Sequence, residues 1–290
     1  MSQKFFLLFA LLCAAAQGAW AQNYDVWDGV TQKQPSITEV GAYDTRIDIN
    51  SAAEMAWLMA HFDNGMYYWS NWLDRQQLQI PDQSNISLNV DVDMTAGNWT
   101  PKIYRHSVSA GGTQTFEGNG HTIKIKIDGV SDNYQGLFSE VSEYTKVQNL
   151  HVVADIHCSN SRLVGGICGQ NNGTIENCWV SGLVQSDWRE PSSAYTAKVG
   201  GICGQNNGTV QYCCVTADVT NNDADVGGLV GDNDHSGATV RHCTFYGTRN
   251  STHDQASIYV GDSGTEEYLF GIFSLDEYNA ASGKDMYRHA

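Results

Sequence analysis

Val164-Gly-Gly-Ile-Cys-Gly-Gln-Asn-Asn-Gly-Thr-Ile-Glu-Asn-Cys178 is nearly repeated as Val199-Gly-Gly-Ile-Cys-Gly-Gln-Asn-Asn-Gly-Thr-Val-Gln-Tyr-Cys213. A looser third copy runs from Val226-Gly-Gly-Leu-Val-Gly-Asp-Asn233 to Ala238-Thr-Val-Arg-His-Cys243. A unit of this length cannot bury its own apolar side. It must stack on its neighbours, so the repeat decides the architecture.

The residues that follow each copy fix the register. With Leu150, Cys178, Cys213 and Cys243 aligned, the next alternate positions are Val152, Val180, Val215 and Phe245, and then Ala154, Gly182, Ala217 and Gly247. Each column is apolar or small, whereas the intervening column reads His151, Trp179, Cys214 and Thr244. One phase is apolar across four units, as required if like residues stack on parallel strands about 4.8 Å apart. A right-handed parallel β-helix, an all-β solenoid, has this property. A sandwich and a propeller are the alternatives, but a propeller blade needs four strands in some forty residues. The pairs Gly165-Gly166, Gly200-Gly201 and Gly227-Gly228 predict tight corners or close backbone approach. Asn171-Asn172-Gly173 and Asn206-Asn207-Gly208 predict turns with left-handed backbone, whose stacked amides would form a ladder.

Upstream, Ile86, Leu88, Val90, Val92 and Met94 alternate with polar residues, as do Ile123, Ile125 and Ile127 with lysines, and each set predicts a strand. Ser51-Ala-Ala-Glu54 is a capping box, and Met55, Leu58, Met59 and Phe62 follow at helical spacing before Asn64-Gly65. This predicts one N-terminal capping α-helix over Ser51–Asn64. The N-terminus has the pattern of an export signal: Lys4, an apolar run from Phe5 to Ala16, and Ala19-Trp20-Ala21 as the cleavage site. The expected organisation is a signal peptide over 1–21, a lead-in with the capping helix over 22–85, a parallel β-helix over 86–250 and a C-terminal capping segment over 251–290.

The formal charge of −16 becomes one unit more negative when Lys4 leaves. Such a surface is a poor match for nucleic acid, and no later segment has the length and apolarity of a transmembrane helix. Of eight cysteines, Cys13 leaves with the signal and an odd number remains, so at least one has no partner within the chain. Stacked parallel positions hold Cβ atoms about 4.8 Å apart, wider than the roughly 3.8 Å of a disulfide. Cys178, Cys213 and Cys243 are therefore expected as buried free thiols.

These residues carry a resemblance. Val-Gly-Gly-Leu/Ile-x-Gly-x-Asn-x-Gly-x-Ile-x-Asn-Cys resembles the GLUG motif of exported bacterial proteins. Trp27-Asp28-Gly29, Ile49-Asn-Ser-Ala-Ala-Glu-Met-Ala56, Trp99-Thr-Pro101, Phe116-Glu-Gly-Asn-Gly-His-Thr-Ile123 and Gly136-Leu-Phe138 also look like that group. The resemblance implies a secreted or cell-surface protein, adhesin-like, with the periplasm as the alternative location. It implies no particular chemistry.

The chain carries no His-Glu-x-x-His and no Gly-x-Ser-x-Gly, so neither a zincin nor an α/β-hydrolase nucleophile is expected. His151, Asp155 and His157 share one strand face, and Asp91 and Asp93 share another. Each set reads as a solvated face or, alternatively, as metal ligands and a carboxylate pair respectively. Asp218, Asp223, Asp225, Asp232 and Asp234 match no calcium-loop pattern. No catalytic residue, metal site or cofactor is expected. The candidate ligand-binding residues are Trp179, Trp188 and Tyr195, on the outer wall and the 187–197 loop. There they would meet a glycan or a host or microbial surface protein, unless the loop folds back and buries them. A carbohydrate-active enzyme and a purely structural spacer are the competing functions on the same fold.

Overall fold

The structure is a computed structural model that describes residues 23–40, 45–61, 84–104, 114–188, 197–221, 224–233, 235–250, 265–267 and 270–271. The expected signal peptide, Phe62 to Gly65, Tyr195, Asp223 and Asp234 lie outside the described residues, as does most of the 251–290 segment.

Most of the described residues are strands, gathered into four sheets with one helix. The ten-stranded sheet runs from Asp25–Val26 through Val92–Asp93, Thr122–Val130, His151–Cys158, Trp179–Ser186, Cys214–Val215 and Thr244–Phe245 to Phe270–Gly271. A nine-stranded sheet includes Thr45–Ile49, Ser84–Leu88, Gln114–Glu117, Thr145–Gln148, Thr174–Glu176, Thr209–Gln211 and Thr239–Arg241. The chain also passes through a five-stranded sheet holding Phe138–Val141, Cys168–Asn171, Cys203–Asn206 and Val230–Asp232. The fourth sheet holds Tyr134–Gln135, Leu163–Gly165, Ala197–Gly200 and Ala224–Gly227. Every described pairing is parallel except Ser36–Glu39 with Thr45–Ile49.

The register is the one the repeat overlay requires. Val152 pairs with Val180, Val180 with Val215 and Val215 with Phe245. All four are at most 4% exposed, and each such burial removes an aliphatic or aromatic side chain from water, worth about 1.5–3 kcal/mol. Ile123, Ile125 and Ile127 extend the same face one strand earlier. A single apolar cluster runs from Ile47 to Phe245. Phe116 and Phe138 meet edge to face inside it, 5.5 Å apart.

The glycine pairs have the second of their two expected causes. A Cβ on Gly166 would lie 2.4 Å from Val180 Cγ1, one on Gly201 2.5 Å from Val215 Cγ1, and one on Gly228 2.5 Å from the Phe245 ring. The glycine column therefore lies directly against the valine and phenylalanine column. Gly165 and Gly200 sit equally close to backbone atoms of neighbouring strands, and Gly227 pairs with Gly200 in register.

Three expectations need correction. The alternating run Ile86–Met94 is two strands in different sheets, Ser84–Leu88 and Val92–Asp93. Leu88 and Val92 both point inward across the bend, so the period of two passes the corner unbroken and hides it. Stacked strands also begin before residue 86, since Thr45–Ile49 pairs with Ser84–Leu88 and Asp25–Val26 with Val92–Asp93. Finally, the left-handed positions are not in the Asn-Asn-Gly turns. Four of them fall at Asn149, Asn177, Tyr212 and His242, with φ of 51–55°, one residue before the Leu150–Cys178–Cys213–Cys243 column, and two more at Asn119 and Tyr144. The amide ladder does form: Asn171 Nδ2 donates to Asn206 Oδ1 at 2.7 Å, and Asn206 Nδ2 to Asn233 Oδ1 at 2.7 Å. All three asparagines are buried.

The helix spans Ala52–His61 and packs on Thr45–Ile49 and Val92–Asp93. Ser51 Oγ accepts the Glu54 N–H at 3.2 Å, while Glu54 Oε2 accepts the Asn50 N–H at 2.7 Å. The Ala52 N–H reaches across to Asp25 Oδ2 at 2.6 Å, which ties the helix start to the first strand of the long sheet. Met55, Leu58 and Met59 are buried. Among the described residues no helix is long and apolar enough to cross a membrane.

Candidate functional site: the outer wall of the long sheet

The column that alternates with the core column on the long sheet is Thr122, His151, Trp179, Cys214 and Thr244, in register from strand to strand; Thr122, Cys214 and Thr244 are buried, and His151 and Trp179 are half-buried. His151 and Trp179 stack at 3.8 Å with planes 6° apart. Trp179 is half-buried, and its Nε1 donates to Thr216 Oγ1 at 2.9 Å. His151 covers one face of the indole, so the other turns toward Cys214, which is only 2% exposed. The ring therefore presents an edge to water rather than an open platform.

His151 is held on both nitrogens, with Thr122 Oγ1 at 3.2 Å from Nδ1 and Ser181 Oγ at 2.9 Å from Nε2. Burial lowers its pKa to about 4, against the opposing charge of Asp91. At neutral pH the ring is uncharged. Below it, Lys124 Nζ sits 3.7 Å over the Tyr24 ring and 3.5 Å from Asp93.

The other expected aromatics are placed differently. Trp188 is half-buried and packs on the core; its N–H donates to Ser186 Oγ at 3.2 Å, and its indole nitrogen is buried without a hydrogen-bond partner. Trp188 itself thus lies back on the wall. Tyr195 is outside the described residues.

His151, Asp155 and His157 do lie on one face, but they are not gathered. Asp155 is exposed, and His157 Nε2 lies 2.7 Å from Asp187. Asp91 accepts from His121 Nδ1 and the Thr122 N–H, while Asp93 accepts from Thr95 N and Oγ1. Burial works against ionisation of Asp93, but the Thr95 bonds and Lys124 bring its pKa below the ordinary value. The two carboxylates serve a turn and an ion pair.

The cysteines behave as small apolar groups. All seven from Cys158 to Cys243 are buried free thiols. Cys178, Cys213 and Cys243 each donate to the carbonyl two residues back, Glu176, Gln211 and Arg241, at 3.2–3.3 Å. Burial pushes Cys158 up to about 12 and raises Cys178, Cys203 and Cys213 well above the ordinary thiol value.

Two clusters were missed in whole or in part by the sequence reading, which offered Asp225 and Asp232 but not their lysine. Lys198 bridges Asp225 and Asp232, with Asp232 at 3.7 Å and all three side chains less than a fifth exposed. Tyr212 and His242 stack at the corner between the nine-stranded and the long sheet, 5.0 Å apart and 6° from parallel. The repeat overlay already held the signal for the second cluster, because both residues occupy the position of Asn149 and Asn177. Compared with protein-family models, with curated protein sequences and with solved structures, the chain finds no match in any of the three.

Proposed function

We propose that this chain is an exported, right-handed parallel β-helix protein of the GLUG-motif group, and that it binds a glycan or a surface protein through its outer wall without chemical turnover. The observation that carries this reading is the strand register. Like residues recur on successive strands, inward as valine and cysteine and outward as polar and aromatic columns. A wall of this kind is rigid and repeats at the strand spacing of about 4.8 Å, which suits an extended partner that needs no closing lid. The pattern of residues 1–21 supports export, and the negative charge disfavours nucleic acid as the partner.

One observation favours an enzyme on the same fold: Lys198 draws Asp225 and Asp232 together. General acid–base work needs a carboxyl or amine that meets substrate. Here the ammonium lies between the two carboxylates and the groups satisfy one another, which is the behaviour of a structural ion cluster. Binding is therefore the stronger reading.

The test is a glycan array and a surface-protein panel probed with the secreted chain, with the Trp179→Ala/Trp188→Ala variant alongside. Retained folding with lost binding in that variant supports the wall. Depolymerisation of a polysaccharide by the wild type, abolished in Asp232→Asn, would replace the binding reading with the enzymatic one.

A further inference from the structure

At the corner before the long sheet, the backbone is left-handed in four successive repeats. Two of them use asparagine, the residue besides glycine that tolerates this conformation best. Asn149 and Asn177 have φ of 55° and 51°, and they also build a ladder. Asn177 Nδ2 donates to Asn149 Oδ1 at 2.6 Å, and Asn149 Nδ2 donates to both Glu117 oxygens at 2.9 and 3.0 Å.

The next two repeats depart from this solution. Tyr212 and His242 hold the same conformation, with φ of 55° and 54°. Neither side chain carries an amide to extend the ladder, and for tyrosine the left-handed region is less favourable than for asparagine, whereas histidine, like asparagine, visits it more readily than most residues. The chain thus gives up local backbone stability at Tyr212 and gains a pair of parallel rings at the corner. Tyr212 remains 39% exposed although His242 covers one of its faces.

The surroundings are polar and mixed in sign. Arg241 Nε donates to Gln211 Oε1 at 2.8 Å, and Lys146 pairs with Glu176 at 2.8 Å. Glu176, Gln211 and Arg241 follow one another in register beside the corner. They offer a carboxylate, an amide and a guanidinium within one strip.

We propose that Tyr212 and His242, flanked by Glu176, Gln211 and Arg241, form a binding edge for a neutral saccharide. A sugar ring presents an apolar C–H face that stacks on an aromatic ring, and hydroxyls that need donors and acceptors together. The exposed part of the Tyr212 ring supplies the first, and the polar strip the second. The net charge of −16 repels an anionic polymer at long range, which selects an uncharged sugar. This inference rests on the binding-protein reading and moves the contact from the Trp179 wall to the corner.

The experiment titrates the full chain with maltohexaose, cellohexaose, mannohexaose and chitohexaose, using oligogalacturonate as the anionic comparison. Wild type and the Tyr212→Asn/His242→Asn variant are compared for affinity and melting temperature. At least one neutral oligosaccharide binds the wild type, and the variant loses about tenfold or more in affinity. The same variant melts about 3 °C higher, because asparagine in place of Tyr212 relieves the left-handed backbone there. A purely structural ring pair would instead lower the melting temperature. Unchanged affinity in the variant, a lower melting temperature, or tighter binding of oligogalacturonate than of every neutral sugar overturns the proposal. Binding that survives this variant but is lost in Trp179→Ala/Trp188→Ala overturns the corner site and leaves the wall standing. A wild type that binds none of these sugars but retains a surface protein also overturns the corner site, and one that binds nothing at all overturns both.

Discussion

Gly201 tests the stacking of the inward columns at one atom. Its φ is not in the left-handed region, so alanine is allowed there conformationally. In open space Gly201→Ala would stabilise by about 0.4–1 kcal/mol through the unfolded chain. Between the parallel sheets the new Cβ would lie 2.5 Å from Val215 Cγ1 and 2.4 Å from the Gly228 carbonyl oxygen. Ordinary contact begins near 3.4 Å, so the neighbours must retreat by about 1 Å. The Gly201 carbonyl accepts the Gly166 N–H at 3.0 Å, and the next residue, Ile202, donates to Leu229 O at 2.8 Å, so the backbone is pinned on both sides. Overpacking of this kind costs about 1–3 kcal/mol, a fall of roughly 2–10 °C in melting temperature for a chain of this size. Gly97→Ala is the control, because its Cβ would meet only the Trp27 ring at 3.4 Å and should be neutral. Adding Val215→Ala to Gly201→Ala should recover part of the loss, giving a non-additive cycle. The assay is urea and thermal unfolding followed by circular dichroism. A Gly201→Ala protein as stable as wild type, with additive behaviour toward Val215→Ala, would refute the close approach of the two columns.

Other consequences are as direct. His151 has a pKa of about 4 in the fold against about 6.5 unfolded, so the unfolded chain binds the proton first as pH falls. Its contribution is complete above pH 6.5 and is lost progressively toward pH 4, to a total of about 3 kcal/mol; His151→Gln should flatten that part of the stability–pH curve, and an unchanged slope would count against the stacked, neutral ring. The seven described cysteines, Cys158 to Cys243, should resist iodoacetamide in native buffer at pH 8 and react together only on unfolding, measured by intact mass; rapid native labelling of Cys178 or Cys213 would contradict their burial. Asn206→Ala removes the middle of the buried amide ladder and leaves Asn171 and Asn233 each short of a bond. It should cost about 2–4 kcal/mol in urea unfolding, whereas a loss under 0.5 kcal/mol would show the ladder to be solvated.

The columns were legible because two periodicities agree on them. Alternation places Val152, Val180 and Val215 on one side of their strands, and the repeat places them one above another. The glycine pairs were legible as special positions, but not their cause, since the partner of Gly228 is Phe245, reached only after two corners. The corner between Leu88 and Val92 was invisible for the opposite reason: a bend that keeps inward residues inward leaves alternation intact. Left-handed backbone was expected at Asn-Asn-Gly from turn chemistry, yet it sits one strand later at Asn177, Tyr212 and His242. Tyr212 is a poor left-handed former, and none of the three is followed by the glycine that marks a turn, so local preference pointed elsewhere. The aromatic residues were the least legible part. Alternation indicates that Trp179 points outward, but whether its face is open depends on His151 and Cys214 in neighbouring strands, which only the register brings together.

Spin-label distances along one outward column measure the stacking directly. Lys126, Asp155, Leu183 and Asp218 follow one another in register, with Thr248 beside Asp218 on the next strand. Among the described residues the native thiols are all buried, which leaves cysteines introduced at Lys126 and Thr248 as the reactive pair there. Four strand steps of about 4.8 Å put these two backbone positions about 19 Å apart, and moving the first label to Asp155 shortens the separation by one step. Pulsed electron spin resonance should return that distance and that decrement. A separation that fails to fall by one step, or that exceeds about 30 Å, would mean the repeats do not lie one upon another.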